Sequence, residues 1–183
     1  MLIGNIINKS TNLNPLPMGI LVALIMGIII TSPISSAAVA ISLGLSGLSA
    51  GAATIGCACH MIGFAVAGYK DNGCNGLISH GLGTSKLQMA NSIKNPLILV
   101  PPMIASVILG GVGAAIFKME NNKIGAGMGT SGLVGQFTTF EVMGEKSLLP
   151  MVLLHFVFPA VIALLVSGVM RKMGLIKQGD MKI

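Results

Sequence analysis

Three long runs without charge dominate the pattern of hydrophobic and polar residues along the chain. No Asp, Glu, Lys or Arg occurs at residues 10–69, 95–117 or 147–170. The second and third runs each fit one crossing of the hydrocarbon core, which takes about 20 apolar residues, and the first has room for two or more. The pattern predicts an all-α integral membrane protein with about 4–6 transmembrane helices.

The most unusual stretch, residues 118–141, lies between two of these runs. A cluster of charged and amide residues at 118–123 precedes seventeen uncharged residues with glycine at 125, 127, 129, 132 and 135. Each interior glycine costs a helix about 1 kcal/mol relative to alanine, yet the stretch is too apolar for an ordinary surface loop. Non-helical backbone at membrane depth is tolerated only where protein or a water-filled cavity covers it. We therefore predict a broken or re-entrant glycine-rich segment that lines a polar site.

Other interruptions occur in the first half of the chain. Residues 31–36 read TSPISS, and Pro33 removes a backbone donor and disfavours helix at Ser32, which predicts a break; a continuous, proline-kinked helix is the alternative. Residues 37–68 are rich in Ala, Gly and Ser, which indicates tight helix packing or room for a substrate cavity. Residues 69–94 are loop-like, and we expect either a functional loop or a solvated basic one.

Composition supports the membrane class and constrains the partners. Charged residues make up 9% of the chain, against about a quarter in a soluble domain. The net charge of +6 comes with one Tyr and no Trp, so it indicates membrane orientation and no nucleic-acid partner. If the glycine-rich segment enters and leaves on one face, the basic 70–94 region and the basic tail share a side. The positive-inside rule then places both in the cytoplasm.

Familiar enzyme motifs lack their required context. Residues 127–132 match G-x-G-x-x-G, but no strand precedes them and no βαβ unit surrounds them, which excludes a dinucleotide site. Cys57, Cys59 and His60 lie inside an apolar run, where small thiols pack as hydrophobes, so we favour packing over metal binding. We predict no metal and no cofactor.

Polar residues that we expect at membrane depth remain as candidates for chemistry. A sugar site needs amides and carboxylates within a mostly apolar cavity, and a carboxylate beside a sugar hydroxyl can act as general base in phosphoryl transfer. Glu141 is the candidate catalytic residue; its alternative role is a surface pair with Lys146. An intramembrane histidine is a functional candidate, although a packing role for His60 stays open. The candidate substrate-binding residues are Gln136, Asn121, Asn122, Glu120, His80, Asp71, Asn72 and His60.

Several short segments together resemble one family of membrane proteins. They are NPLPMG at 14–19, TSPISSA at 31–37, GAATIGC at 51–57, YKDNG at 69–73, GLGTS at 81–85, and MENN at 119–122 followed by residues 125–136. These segments resemble the second enzyme IIC family of the bacterial phosphotransferase system, some of whose members are described as regulators of toxin production. The resemblance covers nearly the whole chain, and residues 119–136 carry its most specific part.

The resemblance implies a single membrane domain, residues 1–183, that corresponds to the C-terminal half of a sugar permease in the bacterial cytoplasmic membrane. Such a multi-pass subunit binds a sugar and presents it to a IIB partner that carries a phosphocysteine and is charged by a IIA protein. As for enzymatic activity, the resemblance implies at most the membrane subunit of a sugar phosphotransferase. It also implies that the chain lies in the lipid bilayer and forms a homodimer. The alternatives are a membrane-embedded sensor that keeps the permease fold without transport, and an ion-coupled carrier with broken helices.

Overall fold

The computed structural model describes residues 2–183 and is entirely helical in character. Helices make up 81% of the chain, and no strand occurs among the described residues, so the prediction of an all-α membrane protein is confirmed. The helices are α1 (Leu2–Leu13), α2 (Pro15–Thr31), α3 (Ser36–Leu43), α4 (Leu48–Ala67), α5 (Tyr69–Ile78), α6 (Met89–Lys94), α7 (Val100–Ala115), α8 (Val134–Met143), α9 (Leu148–Val152) and α10 (Phe158–Lys172). Short 3₁₀ turns join several of them, and two π-helical turns lie at Ser79–Gly83 and Leu153–Val157.

Helices α2, α4 and α7 form the centre of the bundle, and α4 is its buried axis. Nearly every residue of α4 is inaccessible to solvent, because small side chains let the neighbouring backbones approach closely. A Cβ atom on Gly56 would lie 1.9 Å from the carbonyl oxygen of Ala23, and one on Gly110 would lie 2.2 Å from the Cβ of Ala23. The run of small residues therefore serves the tight helix packing that its composition indicates.

Three helical stretches are long and apolar enough to cross a membrane: Leu48–Ala67, Pro96–Ala115 and Ser131–Lys172, with Pro15–Thr31 as a shorter apolar helix. The last stretch, 42 residues long, is folded back at Gly144, whose φ is 70°. The amide of Gln136 in α8 lies 2.9 Å from the ring of His155, so α8 runs antiparallel to the chain after the turn. The part of this stretch that is long and apolar enough to cross a membrane is therefore the continuous run from α9 through the π-helical turn to α10.

Two of the sequence predictions concern interruptions, and the structure resolves both. Helix α2 ends at Thr31 and α3 begins at Ser36, so Pro33 marks a true break and not a kink in one continuous helix. Residues 69–94, expected as a loop, contain α5, a π-helical turn and α6. Gly73, with φ of 61°, interrupts the helical backbone inside α5.

The C-terminal tail, residues 173–183, packs against residues 69–95. Arg171 forms a salt bridge of 2.9 Å with Asp71, Asn72 donates to the carbonyl of Met181 at 2.7 Å, and Asn95 donates to Asp180 at 2.8 Å. These contacts place the two basic regions at one end of the bundle. The two basic regions therefore share a side, as the positive-inside prediction requires; that this side is cytoplasmic stays a prediction.

Candidate functional site

The glycine-rich segment enters the bundle and returns along the same helix. The carbonyl of Met119 lies against Gly51, near the start of α4, where there is no room for a Cβ atom. Further along α4, the Sγ of Cys57 lies 3.7 Å from the carbonyl of Ala126. Thr130 lies 3.6 Å from the Sδ of Met61. The chain then turns, and Gly135 lies back beside Thr54. The segment is therefore re-entrant, and its tip reaches the middle of α4.

Close approach to α4 requires glycine at this tip. Gly129 has φ of 55°, and a Cβ there would lie 2.8 Å from the backbone nitrogen of Ala58. Any other residue would be strained in this left-handed conformation and would also collide with the helix. Gly129 thus allows an irregular backbone to lie against a buried helix, as a covered re-entrant segment must.

Three interrupted segments meet at this depth. The hydroxyl of Ser36, at the start of α3, donates to the carbonyl of Gly127 at 2.6 Å, and Thr130 donates to the carbonyl of Gly81 at 2.6 Å. Thr31, the last residue of α2, donates to the hydroxyl of Ser85 at 3.1 Å. We call residues 31–36, 81–86 and 127–131 the junction. It brings together the break after α2, the π-helical turn and the tip of the glycine-rich segment.

Lys86 pairs with backbone carbonyls in the break that follows α2. Its ammonium donates to the carbonyl of Ser32 and, at 2.7 Å, to the carbonyl of Ile34. Carbonyls in such a break have no helical partner, and leaving a carbonyl unpaired away from water is costly. An ammonium has three hydrogens, so one donor of Lys86 remains after these two bonds.

A cavity of about 170 Å³ opens beside Lys86. Its polar wall is formed by Ser35, Ser36, Thr84, Lys86, Gly127 and Ser131, and its apolar wall includes Ile30 and Met128. Hydroxyls both donate and accept hydrogen bonds, so this wall matches the alternating donors and acceptors of a polyhydroxylated ligand. Groups of three or more His, Cys, Asp or Glu side chains that could hold a metal are absent from residues 2–183.

Asn121 and Gln136, two of the predicted substrate-binding residues, are buried near the base of the re-entrant segment. Asn121 donates to Thr54 at 2.8 Å and to Thr139 at 3.0 Å. Its amide therefore links the entering and returning parts of the segment to α4. Gln136 pairs with His155 and borders a mostly apolar cavity of about 310 Å³. Within the described chain, the Oε1 of Gln136 and the Nε2 of His155 have no hydrogen-bond partner.

Glu120, Asn122 and Glu141 lie at the outer end of the same segment. Glu141 is exposed, and its Oε2 atom lies 3.4 Å from the Nδ2 of Asn122. Residues 2–183 contain no ion pair between Glu141 and Lys146. Glu120 is exposed and borders a separate surface cavity of about 320 Å³ that Lys146 also lines.

The remaining predicted residues come from the first half of the chain. Asp71 pairs with Arg171 of α10 and accepts from the backbone nitrogen of Gly179 in the tail, and Asn72 also binds the tail. His80 is buried between the carbonyl of Gly76 at 2.7 Å and the amide of Gln88 at 2.9 Å. His60 lies 3.0 Å from Thr31 and so borders the junction, but its Nε2 atom faces Gly27 of α2.

Comparison with known families decides the assignment. The family model described as "Phosphotransferase system, EIIC" matches residues 1–183. The chain belongs to this family. Comparisons with curated proteins and with solved structures gave no match. The resemblance noted from short sequence segments is thereby confirmed, and membership of the EIIC family agrees with the apolar helices in identifying a membrane protein.

In this EIIC chain, the predicted site residues fall in four places and not in one cluster. Asn121 and Gln136 lie at the base of the re-entrant segment, Glu120, Asn122 and Glu141 at its outer end, Asp71 and Asn72 under the tail, and the histidines within the bundle. Their roles stay predictions. Sequence reasoning did not select Lys86, Thr84 or Ser131. The three segments that form the junction are nevertheless distinctive in sequence: TSPISS as a predicted break, GLGTS within the loop-like region 69–94, and residues 127–131 within the glycine-rich segment predicted to line a polar site.

Proposed function

We propose that this EIIC chain is a sugar permease subunit that holds its sugar at the junction and releases it to a partner for phosphorylation. The observation that carries the proposal is the meeting of three helix interruptions around the hydroxyl-lined cavity beside Lys86. Irregular backbone is costly in a membrane unless it lines a site, and broken helices that meet near the midplane are how many carriers build one.

The chemistry of the wall favours a sugar over an ion or an apolar ligand. The polar lining consists of hydroxyls, a backbone carbonyl and one ammonium, with no carboxylate, whereas hard cations prefer several carboxylate or carbonyl oxygens. The third hydrogen of Lys86 and the hydroxyl of Ser131 are available for a ligand, since Ser131 has no side-chain hydrogen bond within the described residues. The cavity is smaller than the ~300 Å³ of a typical ligand site, so a single sugar ring is the fitting substrate class.

Family membership supports the remaining parts of the proposal. The sugar would leave as its phosphate, with the phosphoryl group supplied by IIB and IIA partners, and the chain would lie as a multi-pass homodimer in the bacterial cytoplasmic membrane. Residues 1–183 would act as one membrane domain. Glu141, the predicted general base, lies at the outer end of the re-entrant segment and does not line the junction cavity. A general base must be within hydrogen-bond reach of the reacting hydroxyl, so a catalytic role for Glu141 would require the sugar to bind at that outer end, and the variant Glu141→Gln tests it separately.

Binding of a panel of sugars to the detergent-purified chain tests the site. We expect Ser131→Ala to weaken binding of the preferred sugar about tenfold or less, the effect of one hydrogen bond, without changing stability. Ser10→Ala is the matched control, because Ser10 lies in α1, far from the junction, and its hydroxyl also has no bond among the described residues. Glu141→Gln is compared in parallel: weakening by Glu141→Gln but not by Ser131→Ala would move the site to the outer end of the re-entrant segment.

Uptake measurements test the coupling. Cells that contain the chain and the phosphoryl-donating proteins should accumulate the sugar as its phosphate, and removal of the donors should abolish this accumulation. Uptake that continues unchanged without the donors, or that follows a proton or sodium gradient, would contradict the proposal. Saturable binding with no uptake under any condition would instead support the sensor alternative.

A further inference from the structure

A second cavity, separate from the junction, lies where α10 meets the C-terminal tail. It has a volume of about 610 Å³ and is lined by Lys70, Arg171, Gly174, Ile176, Lys177 and Gln178. Three of these residues are basic and none is acidic. Ile176 is buried and forms the floor, while the lysines are exposed at the rim.

The acidic residues nearby cancel only part of the positive charge of this cavity. Both oxygens of Asp71 are occupied, by Arg171 at 2.9 Å and by the backbone nitrogen of Gly179 at 2.9 Å. Asp180 accepts from Asn95 and from the backbone nitrogen of Lys177. Asp180 also interacts with the charges of Lys177 and Arg171, but within residues 2–183 neither Lys70 nor Lys177 forms a salt bridge. The three basic residues of the cavity outnumber Asp71 and Asp180, so the cavity keeps a net positive charge.

An exposed apolar stripe on α10 and on Met173, the residue that follows it, leads to the cavity. Val161, Leu165, Val169 and Met173 lie one helical turn apart and are 47–67% exposed. At 1.5 Å per residue the stripe is about 18 Å long, close to the ~15 Å of hydrocarbon in one leaflet. Its last residue precedes Gly174 of the cavity wall. An apolar path of leaflet length therefore ends in a basic pocket at the membrane surface.

We propose that this cavity binds the phosphate headgroup of an anionic phospholipid, with the acyl chains lying along Val161, Leu165 and Val169. Basic pockets beside transmembrane helices recognise anionic headgroups by charge and hydrogen bonding. A free phosphate ion shares the chemistry of the headgroup but has no acyl chains that could contact the apolar stripe. The pocket also joins α10 to the tail, so a bound lipid would hold both against the 69–95 region.

Native mass spectrometry of the full detergent-purified chain tests the site. The probes are phosphatidylglycerol and phosphatidylcholine at equal mole fraction. We expect phosphatidylglycerol to bind preferentially, and Lys70→Gln with Lys177→Gln to weaken it by roughly fivefold for each lysine. The matched control, Lys9→Gln with Lys123→Gln, removes the same charge from exposed lysines at the other end of the bundle and should bind like the wild type.

Each other outcome would overturn the proposal. Equal weakening in both lysine pairs would show a general charge effect, and no weakening would show that the cavity is not the lipid site. Inorganic phosphate is added as a competitor; displacement of the lipid at equal concentration would assign the pocket to a free anion. Because both lysines are exposed and neither packs in the core, thermal unfolding should be unchanged, and a variant that unfolds earlier without lipid would also contradict this reading.

Discussion

The amide of Asn121 should be the most sensitive single side chain in the base of the re-entrant segment. It is 1% exposed, and its Nδ2 atom has three acceptors within reach: Thr54 at 2.8 Å, Thr139 at 3.0 Å and the carbonyl of Gly135 at 3.1 Å. Its Oδ1 atom accepts from the backbone nitrogen of Asn122 at 2.7 Å. One side chain thereby connects α4, α8 and the start of the segment.

The cost of Asn121→Ala follows from which groups would lose their last partner. Thr54 still donates to the carbonyl of Ala50, and Thr139 still donates to that of Gly135. Only the N–H of Asn122 would be left without an acceptor, which costs about 1–3 kcal/mol. The truncation also leaves a small void, so we expect a total loss of about 2–4 kcal/mol in the free energy of unfolding.

Asn121→Asp is the sharper test, since the two side chains have the same shape. The carboxylate keeps the acceptor for Asn122 but turns a second oxygen toward the carbonyl of Gly135, and it buries a charge without a counter-ion. Asp should therefore destabilise more than Ala, although it is closer in structure to Asn. Asn122→Ala is the control: Asn122 is half-buried, water can replace its bonds, and the loss should stay near 1 kcal/mol.

The assay is reversible unfolding in mixed micelles with increasing SDS, followed by circular dichroism. The expected order of stability is wild type, Asn122→Ala, Asn121→Ala and then Asn121→Asp. If Asn121→Asp unfolds together with the wild type, the donor role of Nδ2 is wrong. In that case the base of the segment must be held by backbone contacts, of which the bonds between Gly47 and Asn121 are the first candidates.

Two further predictions concern packing and pH. Gly56→Ala should destabilise the chain by about 1–3 kcal/mol through overpacking against Ala23, while Gly168→Ala, which has open space around it, should be neutral or stabilising by up to about 1 kcal/mol; the same SDS titration checks both. The N–H of Lys177 and the amide of Asn95 lower the pKa of Asp180 in the folded chain. The stabilisation that ionised Asp180 gives to the tail is therefore fully present above its unfolded pKa of about 3.9. This stabilisation is lost as pH falls through the lower folded pKa. Pepsin cleavage of the tail should therefore increase as pH falls below about 4, and Asp180→Asn should remove most of this dependence.

The helical membrane class and the interruptions could be predicted from sequence because each depends on local composition. Charge-free runs of membrane length require crossing helices, and Pro33 and the glycines of residues 125–135 disrupt a helix wherever they occur. The re-entrant course of the glycine-rich segment follows from the same reasoning. The loop prediction for residues 69–94 was wrong. Their polar and glycine-rich composition indicates a loop, but packing against α4 and the tail stabilises short helices there.

The proposed site at the junction could not be predicted in the same way, because it depends on which interruptions meet. Single residues such as Glu141 and Asp71 attract attention as charges in an apolar chain, but Asp71 binds the tail and Glu141 lies on the surface. Lys86 looks like one more basic loop residue in sequence. Only the arrangement of the helices shows that Lys86 donates to two backbone carbonyls in the break after α2. The same arrangement places it beside hydroxyls that come from distant segments.

The junction joins hairpins that enter the bundle from opposite ends. The α2–α3 hairpin and the glycine-rich segment start from the end of α4 that holds Gly51, whereas residues 69–88 start from the end that holds the tail. Bonds between the two groups are few within the described residues: Thr130 to Gly81, Thr31 to Ser85, and Lys86 to the break after α2. Each is a single side-chain contact, worth about 1 kcal/mol for the neutral pairs. A bound sugar whose hydroxyls replaced some of these bonds would weaken the contact between the two groups of segments at little cost in free energy. Separation of the two groups at the junction would then open the cavity toward one side of the membrane.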